Sequence, residues 1–218
     1  MFIIHIKNQA FKHPGISIQN PIKHLWIGLI SGLCIISQPM ESMAADSIQA
    51  NGYSLHSPAS KAKLQNTLWG QVARRHRIDP YILYSVALTE SRKNSEQNRV
   101  IPWPWAINNA GNAFIPGSQQ EAEALLNQML EQGKHNIDVG IMQVNLRWHG
   151  YRVAKPEHLL IPSTNLEIGA SVLSEAIQSV PGNLAHGIGR YYSWKNEPAA
   201  IQYGQKVIAL ANQIRAIL

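Results

Sequence analysis

The 218-residue chain holds a single cysteine, Cys34, so no disulfide framework or thiolate metal site can be built within it. Cys34 lies in an apolar run, and the Leu33 before it is not the small residue that a lipid-attachment cysteine follows. The longest apolar run, "LWIGLISGLCII" from Leu25 to Ile36, falls well short of the roughly 20 residues that span a bilayer. No internal repeat is present, and no segment alternates apolar and polar residues over strand length. Charge is sparse, at 15%, and the basic excess of +6 is mild, which favours contact with an anionic polymer without selecting one. Nothing points to nucleic acid. The six histidines beyond residue 44 are scattered and show no metal-ligand spacing. What remains is an ordinary globular composition, 45% hydrophobic, long enough to bury one sizeable core.

The apolar run has a context. Lys7, Lys12, Lys23 and His24 precede it, and Ser42 and Ala44 follow at the −3 and −1 positions of a cleavage site. Basic region, short apolar core and small residues form the order of a secretory signal peptide. Residues 1–44 therefore read as a leader, or as an N-terminal anchor if uncleaved, the one route to a membrane. Residues 45–58 read as a linker and 59–218 as one domain. Export without disulfides suits a bacterial periplasm.

The domain reads as mainly α-helical. Leu64, Leu68, Val72 and Ala73 mark a first helix between Ala59 and about His76. Asp79 and Pro80 are the N-cap and first residue of a second, "PYILYSVALTES". From Asn94 to Ser118 the texture turns to Pro, Trp, Asn and Gly, which predicts a short hairpin or irregular insertion around Asn109-Ala110-Gly111. "QQEAEALLNQMLEQG" is an amphipathic helix closing on Gly133. "NIDVGIMQVNLRWHG" reads as a loop entering a short helix, and a helix capped at Ser163 and Thr164 follows. "GNLAHGIGRYYS" and "PAAIQYGQKVIALANQIRAI" complete the set.

Three places could carry chemistry. Leu83, Val86 and Ala87 share a helix face that continues onto Glu90. A carboxyl partly removed from water is harder to ionise, and a carboxylic acid still protonated near neutral pH is what a glycosidic oxygen needs as general acid. The alternative is a helix end facing solvent beside Arg92 and Lys93. In "GIMQVN", Gly140 permits an unusual turn, Met142 supplies an apolar wall, and Gln143 and Asn145 carry amides suited to hydroxyl and N-acetyl groups. In "GRYYSW", Tyr191 and Tyr192 offer stacking faces and hydroxyls, or are simply aromatic core. Trp103, Trp105 and Trp148 carry the same ambiguity between sugar platform and packing.

"ALTES", "GIMQVN", "GRYY" and "YGQKVI", in that order, resemble the soluble lytic transglycosylase family with its lysozyme-like catalytic domain, over about Leu68 to Ile208. "WPWAINNAG", "IDVGIMQVNLRWHG" and "NLEIGASVL" further resemble members associated with conjugation, type IV secretion and pilus systems. The chain departs from the pattern in Ile141, where the family has Leu, and in Tyr191-Tyr192, where it has Tyr-Asn.

The resemblance implies a peptidoglycan substrate, no cofactor and no metal. Glu90 would be the catalytic acid and base that cleaves between N-acetylmuramic acid and N-acetylglucosamine and leaves a 1,6-anhydro end. Ser91, Gln143 and Asn145 would orient Glu90 or the acetamido groups, Tyr191 would hydrogen-bond the catalytic carboxyl, and Met142 would line a subsite. Trp105 and Asn108 are candidates for the cleft edge. Partners would be glycan strands and components of a trans-envelope machine. Two rivals stand beside this reading. One is a hydrolytic muramidase with Asp138 as second carboxylate, although Asp138 also reads as a loop or cap residue. The other is a wall-binding scaffold without activity.

Overall fold

The computed structural model describes residues 64–94 and 99–218. The expected leader (1–44) and linker (45–58) lie outside the described residues. Within the described residues, which take up the expected first helix from Leu64, the chain forms a single 3₁₀ turn (Leu64–Asn66) followed by α1 (Leu68–Arg75). Next come α2 (Pro80–Ser91), α3 (Gln119–Glu131), the one-turn α4 (Leu146–His149), α5 (Pro162–Gln178), α6 (Leu184–Arg190) and α7 (Glu197–Ile217). The domain is mainly α and lysozyme-like, as expected. None of the described helices is long and apolar enough to cross a membrane.

The α2 helix forms where the sequence places it. Asp79 Oδ1 accepts the Tyr81 and Ile82 amides at 2.8 and 3.3 Å, a cap worth about 1 kcal/mol. Its other oxygen meets Arg215 near the end of α7 at 2.7 Å, tying the two helices together at that end. Leu83, Val86 and Ala87 are fully buried, but so, or nearly so, are Ile82, Ser85 and Leu88 on other faces. What the pattern showed as a stripe is a helix enclosed nearly all round, with α1, α7 and the short Val100–Pro102 strand packed against it. One expectation about helix ends is corrected at α5, which starts on Pro162, with Ile161 at the cap and no side-chain cap from Ser163 or Thr164.

Strands appear beyond the one expected hairpin. Between α2 and α4 the chain forms β1 (Arg92–Asn94) and β2 (Val100–Pro102) as an antiparallel pair. It then builds a four-stranded sheet from β3 (Ile107–Asn109), β4 (Asn112–Phe114), β5 (Ile137–Val139) and β6 (Val144–Asn145), in the order β4-β3-β5-β6. The predicted hairpin is the β3–β4 pair, turned through Ala110 and Gly111, both with positive φ, as a two-residue loop requires. Strands of two or three residues are too short for a period-2 pattern to register. The sheet buries Ile107, Ile137 and Val139 against the helices and turns its alternate residues the other way.

Candidate active site

The last turn of α2 presents Glu90, which is half-buried, beyond the fully buried Val86 and Ala87. From the facing helix α7, the Tyr203 hydroxyl donates to Glu90 Oε1 at 2.5 Å. Burial pushes the Glu90 carboxyl up from 4.5 to about 7. The Tyr203 bond pulls it down and the charge of Asp138 adds to the rise. Burial outweighs the bond, so the group straddles both protonation states near neutral pH and can give a proton and take one back. Tyr203 itself is held well above 10 by burial and by the Glu90 charge, which keeps its hydroxyl a donor. The Tyr192 ring stacks on Tyr203, with centroids 5.3 Å apart and planes 6° from parallel.

A tight turn between β5 and β6 approaches from the other side. Gly140 has φ +81°, and a Cβ there would stand 2.3 Å from Asn165 Nδ2 and 2.6 Å from the Leu159 carbonyl oxygen. Gln143 also has positive φ, at +49°, and its side-chain Nε2 pays for the strain by bonding the Ala106 and Gly140 carbonyls, each at 2.9 Å. Buried Asn165, from α5, fastens this turn: Oδ1 accepts the Met142 amide, and Nδ2 donates to the Val139 and Leu159 carbonyls. Ser91, next to Glu90, donates to the Ile141 carbonyl at 2.7 Å, and Tyr191 donates to the Met142 carbonyl at 2.7 Å. The turn is thus joined to α2, to α5 and to the end of α6.

The small sheet supplies a row of polar side chains. Asn108 on β3 pairs with Asp138 on β5, and Asp138 pairs with Asn145 on β6. All three lie on the face opposite the buried Ile107 and Val139. Asn145 Oδ1 caps α4 by accepting the Arg147 and Trp148 amides, which turns Nδ2 towards Asp138 Oδ1 at 2.7 Å and Asn136 Oδ1 at 3.0 Å. Burial raises the Asp138 carboxyl above its ordinary range, and the Asn145 bond opposes the rise. Asn108 spends its Oδ1 on the Gly111 amide in the hairpin turn.

Several expectations change. The carboxyl is bonded by Tyr203 and not by Tyr191, whose hydroxyl faces the Met142 carbonyl. Met142 is fully enclosed, so it cannot line a subsite. Ser91 is buried and holds the turn without facing a ligand. Trp105, 9% exposed and edge-on to Trp103 at 5.2 Å, offers no face to a sugar at a cleft edge. Trp103 is anchored through Nε1 to the Pro116 carbonyl. Of the tryptophans considered, Trp148 alone is well exposed, at 64%. The tyrosine of "QYGQKVI" was visible as part of the fourth motif. Its one extra signal is its place on a face of α7 with buried Ala200 and Val207.

A carboxyl raised towards neutral pH at a helix end, bonded by a tyrosine and joined to a tightly fastened turn, thus lies within a mainly α, lysozyme-like domain. Residues 67–199, well over half of the chain, match the Transglycosylase SLT domain family. The chain belongs to this family of peptidoglycan lytic transglycosylases. Neither the curated proteins nor the solved structures compared gave a match.

Proposed function

We propose that Glu90 is the catalytic residue of a periplasmic lytic transglycosylase that cleaves the β-1,4 bond between N-acetylmuramic acid and N-acetylglucosamine. Protonated Glu90 gives its proton to the glycosidic oxygen as the C1–O bond breaks. The carboxylate left behind, steadied by Tyr203, takes the proton of the muramic 6-hydroxyl as that oxygen closes on C1, giving a 1,6-anhydro end. One carboxylate serves both steps because the nucleophile belongs to the substrate, whereas most glycosidases need two. The observation that carries the reading is the Glu90 carboxyl raised to about 7 and held by Tyr203.

Tyr192, with its ring stacked over Tyr203 and 37% of its surface exposed, extends the site towards solvent as a face for a sugar ring. Gln143, Asn145, Asn108 and Tyr191 act on substrate through the shape of the turn and sheet that they hold. The wall is opened locally for a trans-envelope secretion, conjugation or pilus machine, a role supported by the likeness of the "WPWAINNAG" insertion to members working beside such machines. Mass spectrometry of digested sacculi tests the chemistry. Anhydro ends from the wild type and none from Glu90→Gln are expected, and digestion that leaves no anhydro ends would refute it.

A further inference from the structure

The segment "RWHGYR", residues 147–152, carries two large rings that the core leaves out. Trp148 in α4 is 64% exposed, and Tyr151, in the 3₁₀ turn Gly150–Arg152 that continues α4, is 78% exposed. A single exposed aromatic is common and by itself means nothing. Two within one turn, both held in place, are a different matter. The Arg147 guanidinium stands over the Trp148 ring, 5.2 Å from its centroid, and that of Arg152 lies 5.4 Å from the Tyr151 centroid. Arg152 is braced from α5, donating to both Glu175 oxygens at 2.9 Å and to Ser171 at 3.2 Å. The Trp148 amide is held by Asn145. Rings on so short and anchored a ridge lose little freedom when a ligand covers them.

The chemistry of the ridge selects its ligand. Flat rings suit the C–H face of a pyranose, and the charge beside them suits carboxylates. Between Val139 and Pro156 the chain has no Asp or Glu, while Arg147, Arg152 and Lys155 are basic. Glu175 answers Arg152, but Arg147 forms no ion pair among the described residues. No aliphatic side chain stands within the segment, as a lipid-inserting surface would need. Peptidoglycan carries both matching features, sugar rings along the strand and free carboxylates on its stem peptides. The position also fits. The α4 helix directly follows the turn whose Ile141 carbonyl is bonded by Ser91, the neighbour of Glu90. From Ile141 to Trp148 the chain advances seven residues, at most about 25 Å even if extended, a reach that a strand of several sugars covers.

We propose that Trp148, Tyr151 and Arg147 form an accessory surface for the peptidoglycan strand, with the rings stacking on sugars beyond those at Glu90 and Arg147 pairing with a stem-peptide carboxylate. This rests on Glu90 being the point of cleavage. The surface takes no part in bond breaking. It holds the polymer equally before and during the reaction, so it acts on affinity and leaves the chemical step alone.

The test is sedimentation of the full chain with purified sacculi, on ice, in a Glu90→Gln background that leaves the polymer whole. Trp148→Ala with Tyr151→Ala should weaken affinity about tenfold or more, the loss of two stacking contacts. The melting temperature should not move, because both rings stand outside the core. Arg147→Gln should weaken binding severalfold at low salt and by less at about 1 M salt. With Glu90 restored, the double variant should raise KM for sacculi and keep kcat within about twofold. Affinity undiminished in the double variant would overturn the proposal, as would loss of binding to phosphatidylglycerol vesicles in place of sacculi. A fall in kcat and melting temperature alongside affinity would mark a structural role and overturn it too. An Arg147 effect indifferent to salt would remove the carboxylate from the proposal. Failure of the Glu90 reading looks different, since Glu90→Gln would then release anhydro ends on warming, while the comparison on ice still decides this surface.

Discussion

Replacing Tyr203 by phenylalanine removes one oxygen and leaves the ring, its stacking on Tyr192 and its burial in place. The hydroxyl donates to Glu90 at 2.5 Å, and a hydrogen bond to a charged group is worth about 1.5–3 kcal/mol. With one pKa unit equal to about 1.4 kcal/mol, losing the bond should lift Glu90 from about 7 by roughly one to two units. The sign follows from which form the bond serves. Tyr203 stabilises the carboxylate, so without it the proton is held more tightly. Glu90 must be protonated to act as acid, and the alkaline limb of the pH–rate profile should therefore move up.

The rate at the optimum should move the opposite way. The bond is strongest once Glu90 has given up its proton, so Tyr203→Phe should lower kcat by about 10- to 100-fold, the same 1.5–3 kcal/mol expressed as a rate. Release of anhydro-muropeptides from sacculi between pH 5 and about 10 measures both effects. Tyr191→Phe is the internal comparison. Tyr191 bonds the Met142 carbonyl, so its loss should cost rate by loosening the turn and leave the limb in place. A limb that stays put in Tyr203→Phe, or shifts in Tyr191→Phe instead, would refute the assignment of the carboxyl's partner.

Other expectations follow from the same contacts. Because the folded pKa of Glu90 is raised, the native state binds more protons than the unfolded chain between pH 4.5 and about 7, and Glu90 lowers stability as pH rises through that window. Glu90→Gln should abolish cleavage yet raise stability by about 1–3 kcal/mol at pH 8 and by little at pH 4, a difference that thermal melts at the two pH values resolve. Asn165→Ala leaves the Met142 amide and the Val139 and Leu159 carbonyls without their partner, and urea unfolding should show a loss of about 3 kcal/mol or more. Gly140→Ala sets a methyl against Asn165 and Leu159 at φ +81°, and should cost at least about 3 kcal/mol in the same assay. Tyr192→Ala removes the ring stacked on Tyr203 and should lower kcat/KM several-fold at a stability cost of about 1 kcal/mol, which melts and initial rates measure together.

The helical frame was legible because its signals are local. Asp79 followed by Pro80 starts α2, Ser118 accepts the Glu121 amide to start α3, and Gly133 ends that helix with φ +72°. Glu90 was legible for the same reason, since one helix carries both the apolar residues and the carboxyl. The strands were not, because β6 has two residues and the others three, and their pairing is set by contacts between Ile107 and Val139 across 32 positions of sequence. Nor could the sequence choose between Tyr191 and Tyr203. Twelve residues apart, one ends α6 and the other lies inside α7, and only the packing of α7 against α2 decides which hydroxyl arrives at the carboxyl.

In "GIMQVN", most side-chain hydrogen bonds serve the turn and its neighbours. Amide and apolar side chains beside a candidate acid invite roles in holding sugar, yet Gln143 bonds backbone carbonyls, Met142 is enclosed, and Asn145 is divided between a helix cap and Asp138. A turn that reverses within a few residues, with positive φ at Gly140 and Gln143, has to satisfy its own amides and carbonyls before it can offer anything to a ligand. Ser91, Asn165 and Tyr191 arrive from three helices to do so. Residue identity in such a motif records the cost of holding the turn. On the proposed reading its contribution is the fixed position that the turn, through the Ser91–Ile141 bond, gives to the end of α2 beside Glu90.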